Sequence, residues 1–140
     1  MTGFRPFSTE WAESFRAAID GDTNYRVAAK GWTWPVALVL NAAPALGYPD
    51  DIAVEFTLDC GNCRSAAIVS ASAVTAPFVF RADFSVWKLM AQGALDPILA
   101  VTRRQVTLTG SLATLMLHAQ AAKALVACAQ RVPTNFSDEP

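Results

Sequence analysis

The segment that follows Gly110 is apolar around most of its circumference, and this feature constrains the fold more than any other. The capping pair Gly110-Ser111 predicts one helix from there to about Gln130. A stripe predicted to face a sheet is formed by Leu112, Leu115, Met116, Ala119, Ala122 and Val126. Further apolar residues widen it, namely Leu117, Ala121, Ala124 and Leu125. A helix of this kind must be covered on more than one side, by core, by a second subunit or by a bound apolar ligand.

The composition limits the class of protein. The chain has 140 residues, of which 53% are hydrophobic and 16% charged, and its net charge is −1. Such a chain is too apolar and too weakly charged for intrinsic disorder, and it carries no overall basic field for nucleic acid. The most strongly apolar stretch, Val36–Leu40, is far shorter than the roughly twenty residues that cross a bilayer.

We expect a single domain over residues 1–132 and a polar, frayed tail over 133–140. The first ten residues lack the basic start and apolar run of a signal peptide, which predicts a cytoplasmic protein. One histidine and three cysteines leave little material for a metal site, so no metal and no cofactor are expected.

The periodicity predicts helices first, then mainly strands, then helices again. The predicted helices cover residues 8–20, 22–30, 85–92, 96–104 and 111–130. The predicted strands cover residues 34–41, 52–59, 64–71, 78–82 and 106–109. This order favours an α+β fold in which a mainly antiparallel sheet is covered on one face by helices.

The clearest strand is residues 52–59, where apolar residues alternate with polar or small ones. Ile52, Val54, Phe56 and Leu58 are predicted to point inward. Gly61-Asn62 then suits the tight turn of a hairpin.

From Phe78 onward the residues resemble the sterol carrier protein 2 superfamily. The resemblance is carried by the strand Phe78–Ala82, the helix containing Trp87-Lys88-Leu89-Met90, the segment Gly93–Ala100, and the strand and helix start Val106–Leu112. The turn Gly61-Asn62-Cys63-Arg64 is similar to one in bacterial single-domain members. The resemblance implies a five-stranded sheet, covered by helices on one face, that encloses an apolar tunnel for a lipid.

Inward strand residues should oppose apolar helix residues across that tunnel. The candidate lipid-binding residues are Val54, Phe56, Phe78, Phe80, Trp87, Met90, Leu95, Ile98, Leu99, Leu112, Leu115 and Met116. The alternative at each position is an ordinary packed core.

We therefore expect non-enzymatic binding or transfer of a sterol, fatty acid or acyl-type lipid, with no catalytic residue. The closing helix and the Trp87–Leu99 region would shield the ligand, and helix movement would admit it. The alternative is an interaction module in which the apolar last helix contacts a second copy or an enzyme. Transient membrane contact and a homodimer stay open, and no nucleic acid is expected.

Two further motifs have structural explanations that outweigh the functional ones. Cys60 and Cys63 have the spacing of a redox pair or half a zinc site, but they flank a hairpin tip and are interpreted as incidental thiols. His118 has no carboxylate or strong nucleophile at helical spacing, so it is interpreted as a packing residue.

Four arginines, at positions 64, 81, 103 and 104, could attract an anionic head group near a tunnel mouth.

Overall fold

A computed structural model describes residues 3–136 of the chain. The helices are α1 (Thr9–Asp20), α2 (Thr23–Ala28), α3 (Phe84–Ala91), α4 (Pro97–Thr102), α5 (Leu112–Leu117) and α6 (Ala119–Ala129). The strands are β1 (Val36–Leu40), β2 (Ile52–Asp59), β3 (Asn62–Ser70), β4 (Phe78–Ala82) and β5 (Thr107–Thr109). Short 3₁₀ turns occupy Pro44–Leu46 and Ala71–Ala73. No helix among these residues is long and apolar enough to cross a membrane.

The five strands form one sheet in the order β3-β2-β1-β4-β5. The pairs β1/β2, β2/β3 and β4/β5 are antiparallel, whereas β1/β4 is parallel. The parallel pair arises because the chain leaves β1, forms the β2–β3 hairpin at one edge, and returns to the other side of β1. The α+β class and the mainly antiparallel sheet predicted from the sequence are confirmed.

The register places the large apolar residues on one face of the sheet. Leu38 is paired with Val54 on one side and with Phe80 on the other, and Phe80 is in turn paired with Leu108. This inner face carries the main core, to which α1, α2, α3 and α6 also contribute. Every residue of β1 is buried.

The outer face of the sheet is covered by small side chains and by the connection to β4. The carboxylate of Glu55 accepts hydrogen bonds of 2.8 Å from the backbone N–H groups of Thr75 and Ala76. This contact lies beside Ala37, which is paired with Glu55 and fully buried. The outer face is therefore closed by a loop, whereas the inner face is closed by helices.

Three helices begin where the sequence predicts caps. The Ser8 hydroxyl accepts a hydrogen bond from the backbone N–H of Trp11 at 3.2 Å. The Asp96 carboxylate accepts one from the backbone N–H of Leu99 at 3.0 Å. The Ser111 hydroxyl accepts one from the backbone N–H of Thr114 at 3.1 Å. The other predicted elements agree with the observed bounds to within about two residues.

The hairpin turn lies one residue earlier than predicted. Asp59 pairs directly with Asn62, so the loop residues are Cys60 and Gly61, with φ angles of 50° and 94°. Positive φ at both loop residues is what a two-residue hairpin turn requires to match the strand twist. The register shifts just beyond it, where Leu58 pairs with Cys63 but Thr57 pairs with Ser65.

The single helix predicted for residues 111–130 is wrong, because the chain forms two helices that meet at His118. His118 has φ −115° and ψ 31°, which interrupts the helical path. The break changes which face is buried. Leu115 and then Ala121, Leu125 and Cys128 are buried, and the predicted sheet-facing stripe is not continuous.

The first four residues of the predicted tail, 133–136, make defined contacts in the structure. Phe4 donates a backbone hydrogen bond to Pro133 and accepts one from Asn135, and the ring of Phe136 contacts that of Phe84 at 5.9 Å. Residues 133–136 therefore pack against the domain. The rest of the predicted tail, 137–140, lies outside the described residues.

Candidate functional site

The helices and the inner face of the sheet enclose a narrow cavity of about 80 Å³. Residues from both ends of the chain and from the sheet form its wall. They are Phe7, Trp11, Phe15, Tyr25, Trp32, Val36, Leu38, Leu58, Phe80, Trp87, Met90, Ala91, Pro97, Val101, Val106, Leu115, His118, Ala121, Ala122, Leu125, Val126, Ala129 and Phe136.

The wall is almost entirely hydrocarbon and aromatic ring. The three indole N–H groups at the cavity already have protein acceptors. Trp11 donates to the Thr134 hydroxyl at 3.2 Å, Trp32 to the Trp34 carbonyl at 2.9 Å, and Trp87 to the Val39 carbonyl at 3.0 Å. Such a wall favours an apolar occupant over water.

Alanines on two facing helices leave the space open. Ala121, Ala122 and Ala129 of α6 and Ala91 of α3 line the cavity. Larger side chains at these positions would fill the interior, since protein cores otherwise pack to crystal-like density. The alanine content that keeps α6 apolar therefore also keeps the cavity from closing.

The predicted site residues divide into three groups in the structure. Phe80, Trp87, Met90 and Leu115 line the cavity together. Buried in the core or half-buried beside it, and outside the cavity wall, are Val54, Phe56, Phe78, Leu95 and Ile98. Leu99, Leu112 and Met116 are 46%, 48% and 47% exposed.

The sequence did not predict that residues of the N-terminal third line the cavity. The amphipathic face of α1 supplies Trp11 and Phe15, and Tyr25 of α2 and Trp32 follow. The helical periodicity of Trp11 and Phe15 identified a buried face, but only the fold shows that this face borders the cavity.

His118 lines the cavity at the break between α5 and α6. Its ring lies edge-on to those of Trp32 and Trp34, with centroids 5.3 and 5.9 Å away. A β-carbon at Gly31 would lie 3.2 Å from the imidazole Cε1, so glycine makes room for the ring. His118 is half-buried, in agreement with the packing role predicted for it.

The three cysteines lie in surroundings that raise the pKa of each thiol. All three are free thiols; Cys60 is exposed at the turn, while Cys63 and Cys128 are buried. Burial raises the pKa of Cys63 to about 12 and that of Cys128 to about 11. The hydrogen bond to Asp59 raises the pKa of Cys60. Raised pKa values oppose the thiolate that redox or nucleophilic chemistry needs.

The arginines that might attract an anion are not gathered at the cavity. Arg64 pairs with Asp59 at 2.8 Å, and Arg81 pairs with Asp51 at 2.6 Å on the outer face of the sheet. Arg103 and Arg104 are exposed beyond α4. Among residues 3–136, no group of three or more histidine, cysteine or acidic side chains could hold a metal ion.

A second, open cleft of about 380 Å³ adjoins the cavity, and its wall is more polar. Its residues come from the ends of α3 and α6 and from the segment after α6. They are Lys88, Ala91, Gln92, Ala129, Gln130, Val132, Thr134, Asn135 and Phe136. Ala91, Ala129 and Phe136 line both spaces.

Two solved structures are similar to this chain over nearly its whole length. One, described as a crystal structure of sterol carrier protein 2, is 34% identical with a TM-score of 0.87, covering 91% of this chain and 99% of that chain. The other is a conserved hypothetical protein of Thermus thermophilus, whose description names a sterol carrier protein. It is 33% identical with a TM-score of 0.87, covering 98% of this chain and 96% of that chain.

A more distant structure shares the fold alone. The sterol carrier protein domain 2 of Helicoverpa armigera is 12% identical with a TM-score of 0.59, covering 95% of this chain and 98% of that chain. No family model matches the chain, and no curated protein matches it. The two structures at 33% and 34% identity establish the relationship. The chain belongs to the sterol carrier protein 2 family.

Proposed function

We propose that this protein binds an apolar ligand in the internal cavity and carries it without chemical change. The observation that supports this most directly is the wall itself, in which aromatic and aliphatic side chains meet and the indole N–H groups of Trp11, Trp32 and Trp87 are already paired. A hydrocarbon guest loses no hydrogen bond on entering such a space. Burial contributes about 25 cal/mol for each Å² of apolar surface removed from water.

The ligand class we propose is a sterol, fatty acid or acyl-type lipid. A guest of that size is larger than the cavity of about 80 Å³, so binding requires the walls to separate. The helical path is interrupted at His118, and a tilt of α5 or α6 about this break would widen the space. Ordering costs offset part of the burial energy, so we expect an affinity in the micromolar range.

The proposed ligand contacts begin with the four predicted residues that already line the cavity, Phe80, Trp87, Met90 and Leu115. Val54, Phe56 and Phe78 would support them from behind. The predicted contacts from Leu95, Ile98, Leu99, Leu112 and Met116 would form only if α4 or α5 moved toward the guest.

We propose that the protein works in the cytoplasm and contacts membranes only transiently, while collecting or delivering its ligand. The exposed free thiol of Cys60 supports a reducing compartment. The exposed Leu112, Met116 and Leu117 of α5 supply an apolar surface for such a contact.

Titration of delipidated protein with a fluorescent fatty acid and a fluorescent sterol tests the function. Ala122→Phe adds a ring to the cavity wall and should weaken saturable binding at least about tenfold. Ala127→Phe is the matched control, because Ala127 lies on the same helix and is exposed. Equal binding by both variants, or no saturable binding by the wild-type protein, would contradict the proposal.

A further inference from the structure

We infer that the hydroxyl of Tyr25 donates a hydrogen bond to the ligand and selects guests that carry an uncharged acceptor, a ketone or ester carbonyl, on a hydrocarbon body. This inference rests on the proposed function and names a residue that determines ligand specificity. The contact is a polar one in a wall that is otherwise made of hydrocarbon and aromatic ring.

Tyr25 is held against the cavity from the first turn of α2. It is 1% exposed and forms the wall together with Phe15 and other apolar residues. Asp22 holds its backbone in place. One carboxylate oxygen of Asp22 accepts a hydrogen bond from the backbone N–H of Tyr25 at 2.7 Å, and the other accepts one from Arg131 at 2.9 Å. The start of α2 is therefore fixed beside the chain that follows α6.

The Tyr25 hydroxyl differs from the other polar groups of the buried aromatic residues, because no residue among 3–136 is hydrogen-bonded to it. The Tyr48 hydroxyl donates to the Pro6 carbonyl at 2.6 Å, and the three indole N–H groups of the wall are also paired. Within this part of the chain, no side-chain nitrogen or oxygen is sealed from open space without a hydrogen-bond partner. The Tyr25 hydroxyl therefore borders open space, and the cavity is the space that Tyr25 lines.

An uncharged acceptor suits this hydroxyl better than a pure hydrocarbon or an anion. Burial raises the pKa of Tyr25, so the hydroxyl keeps its proton and acts as a donor. A hydrocarbon guest would leave that donor unpaired in an apolar surrounding, which is unfavourable. The described residues of the wall include no lysine, arginine or carboxylate, so an anionic end group would lose its hydration without a counter-ion. A carbonyl oxygen avoids both costs.

His118 is a second polar side chain of the wall, and it lies towards the other end of α6. A β-carbon at Gly31 would be 3.2 Å from the His118 imidazole, whereas Asp22 at the start of α2 contacts Arg131 beyond the C-terminal end of α6. The segment from α2 to Gly31 therefore runs antiparallel to α6. The backbone of Tyr25 lies nearer the end opposite His118, so substitutions at the two positions test different ends of the cavity.

Displacement of diphenylhexatriene by undecan-2-one tests the inference, because the fluorescent probe is a hydrocarbon and the competitor carries one uncharged carbonyl. Tyr25→Phe removes only the hydroxyl. It should leave the affinity for diphenylhexatriene within about twofold of wild type and weaken that for undecan-2-one at least about fivefold. Tyr48→Phe is the matched control, because its hydroxyl is bonded to Pro6 and Tyr48 does not line the cavity. It should change neither affinity.

The infrared carbonyl band of bound undecan-2-one provides a measurement that does not depend on affinity. A hydrogen bond from a phenol lowers the carbonyl stretching frequency, so the band should lie below its position in hexane and return towards it in Tyr25→Phe. The urea midpoint of ligand-free Tyr25→Phe should be no lower than that of wild type, because the hydroxyl has no partner among residues 3–136 to lose. A lower midpoint would give the hydroxyl a structural role and contradict the inference.

The remaining outcomes separate this inference from the proposed function. If both compounds bind but Tyr25→Phe leaves the affinity for undecan-2-one and its carbonyl band unchanged, the role of Tyr25 is overturned and the carrier function stands. If His118→Gln instead weakens ketone binding and restores the band, the acceptor lies at the other end of the cavity and the inference is wrong. If diphenylhexatriene does not saturate and neither a fatty acid nor a sterol binds, the carrier function itself fails.

Discussion

The indole nitrogen of Trp87 lies 3.0 Å from the backbone carbonyl oxygen of Val39, so a residue of α3 is tied to the central strand by a single hydrogen bond. Val39 is 1% exposed, and the ring of Trp87 forms part of the cavity wall. The bond therefore positions a wall residue and satisfies a polar group that would otherwise be buried in the wall.

Replacing Trp87 by phenylalanine should destabilise the protein by about 1–3 kcal/mol, because the hydrogen bond to a buried carbonyl is lost while an aromatic ring is kept. Urea denaturation followed by circular dichroism measures the change. Trp34→Phe is the control, since Trp34 is half-buried and its indole N–H donates to no residue among 3–136. Equal destabilisation of the two variants would mean that ring volume matters and the hydrogen bond does not.

Gly61→Ala should destabilise the hairpin by at least about 1–2 kcal/mol. Gly61 has φ 94°, and a β-carbon there would lie 2.8 Å from the Arg26 Cα, so strain and a backbone clash combine. Cys60→Asn should instead be neutral or stabilising, because asparagine tolerates the positive φ of 50° better than cysteine does. The test is the free energy of unfolding of each variant, measured against that of the wild-type protein. A Gly61→Ala protein as stable as wild type would contradict the turn geometry.

Alkaline pH should destabilise the fold partly through Cys63. Burial raises the pKa of this thiol from an ordinary 9.0 to about 12, so the folded state keeps the proton that the unfolded chain releases. The stabilisation is complete below about pH 9 and is lost as the pH rises towards 12. Cys63→Ala should therefore lose less stability than wild type across that range.

The exposed Cys60 supplies the matched variant for that experiment. Cys60→Ala should follow the wild-type dependence on pH much more closely than Cys63→Ala, because the pKa of Cys60 is raised mainly by a hydrogen bond to Asp59 that is exposed to solvent. Denaturant melts at several pH values between about 8 and 11 provide the comparison. Parallel curves for Cys63→Ala and wild type would show that the buried thiol does not contribute.

Met116→Asp should leave equilibrium ligand affinity within about twofold of wild type, as is usual for an exposed position away from a site. Met116 is 47% exposed, whereas its neighbour Leu115 is 2% exposed and lines the cavity. Leu115→Asn should weaken binding, provided circular dichroism shows that the variant is folded. A marked loss of affinity in Met116→Asp would mean that α5 rotates its exposed face onto the ligand.

The strands and caps could be predicted because their signals are local. Alternation over Ile52–Leu58 requires only neighbouring residues, and Ser8, Asp96 and Ser111 cap helices with their own side chains. The residue pattern from Phe78 to Leu112 is enough to indicate the family, and the structures that are 33% and 34% identical confirm it.

The break at His118 could not be predicted, because Leu117 and His118 are both acceptable within a helix. The chain bends there where the ring of His118 packs against Trp32 and Trp34, more than eighty residues earlier in the sequence. The bend leaves Leu112 and Met116 exposed and turns Leu115 and Ala121 inward.

The amino-acid sequence by itself determined the strands, the capped helix starts and an excess of apolar side chains. Only the tertiary structure decided which of those side chains face empty space. A wall is made by residues distant in the chain, such as Phe7, Tyr25 and Phe136, and its openness depends on alanines opposite them. Periodicity reports that a side chain is buried, but not whether it is buried against another side chain or against a cavity.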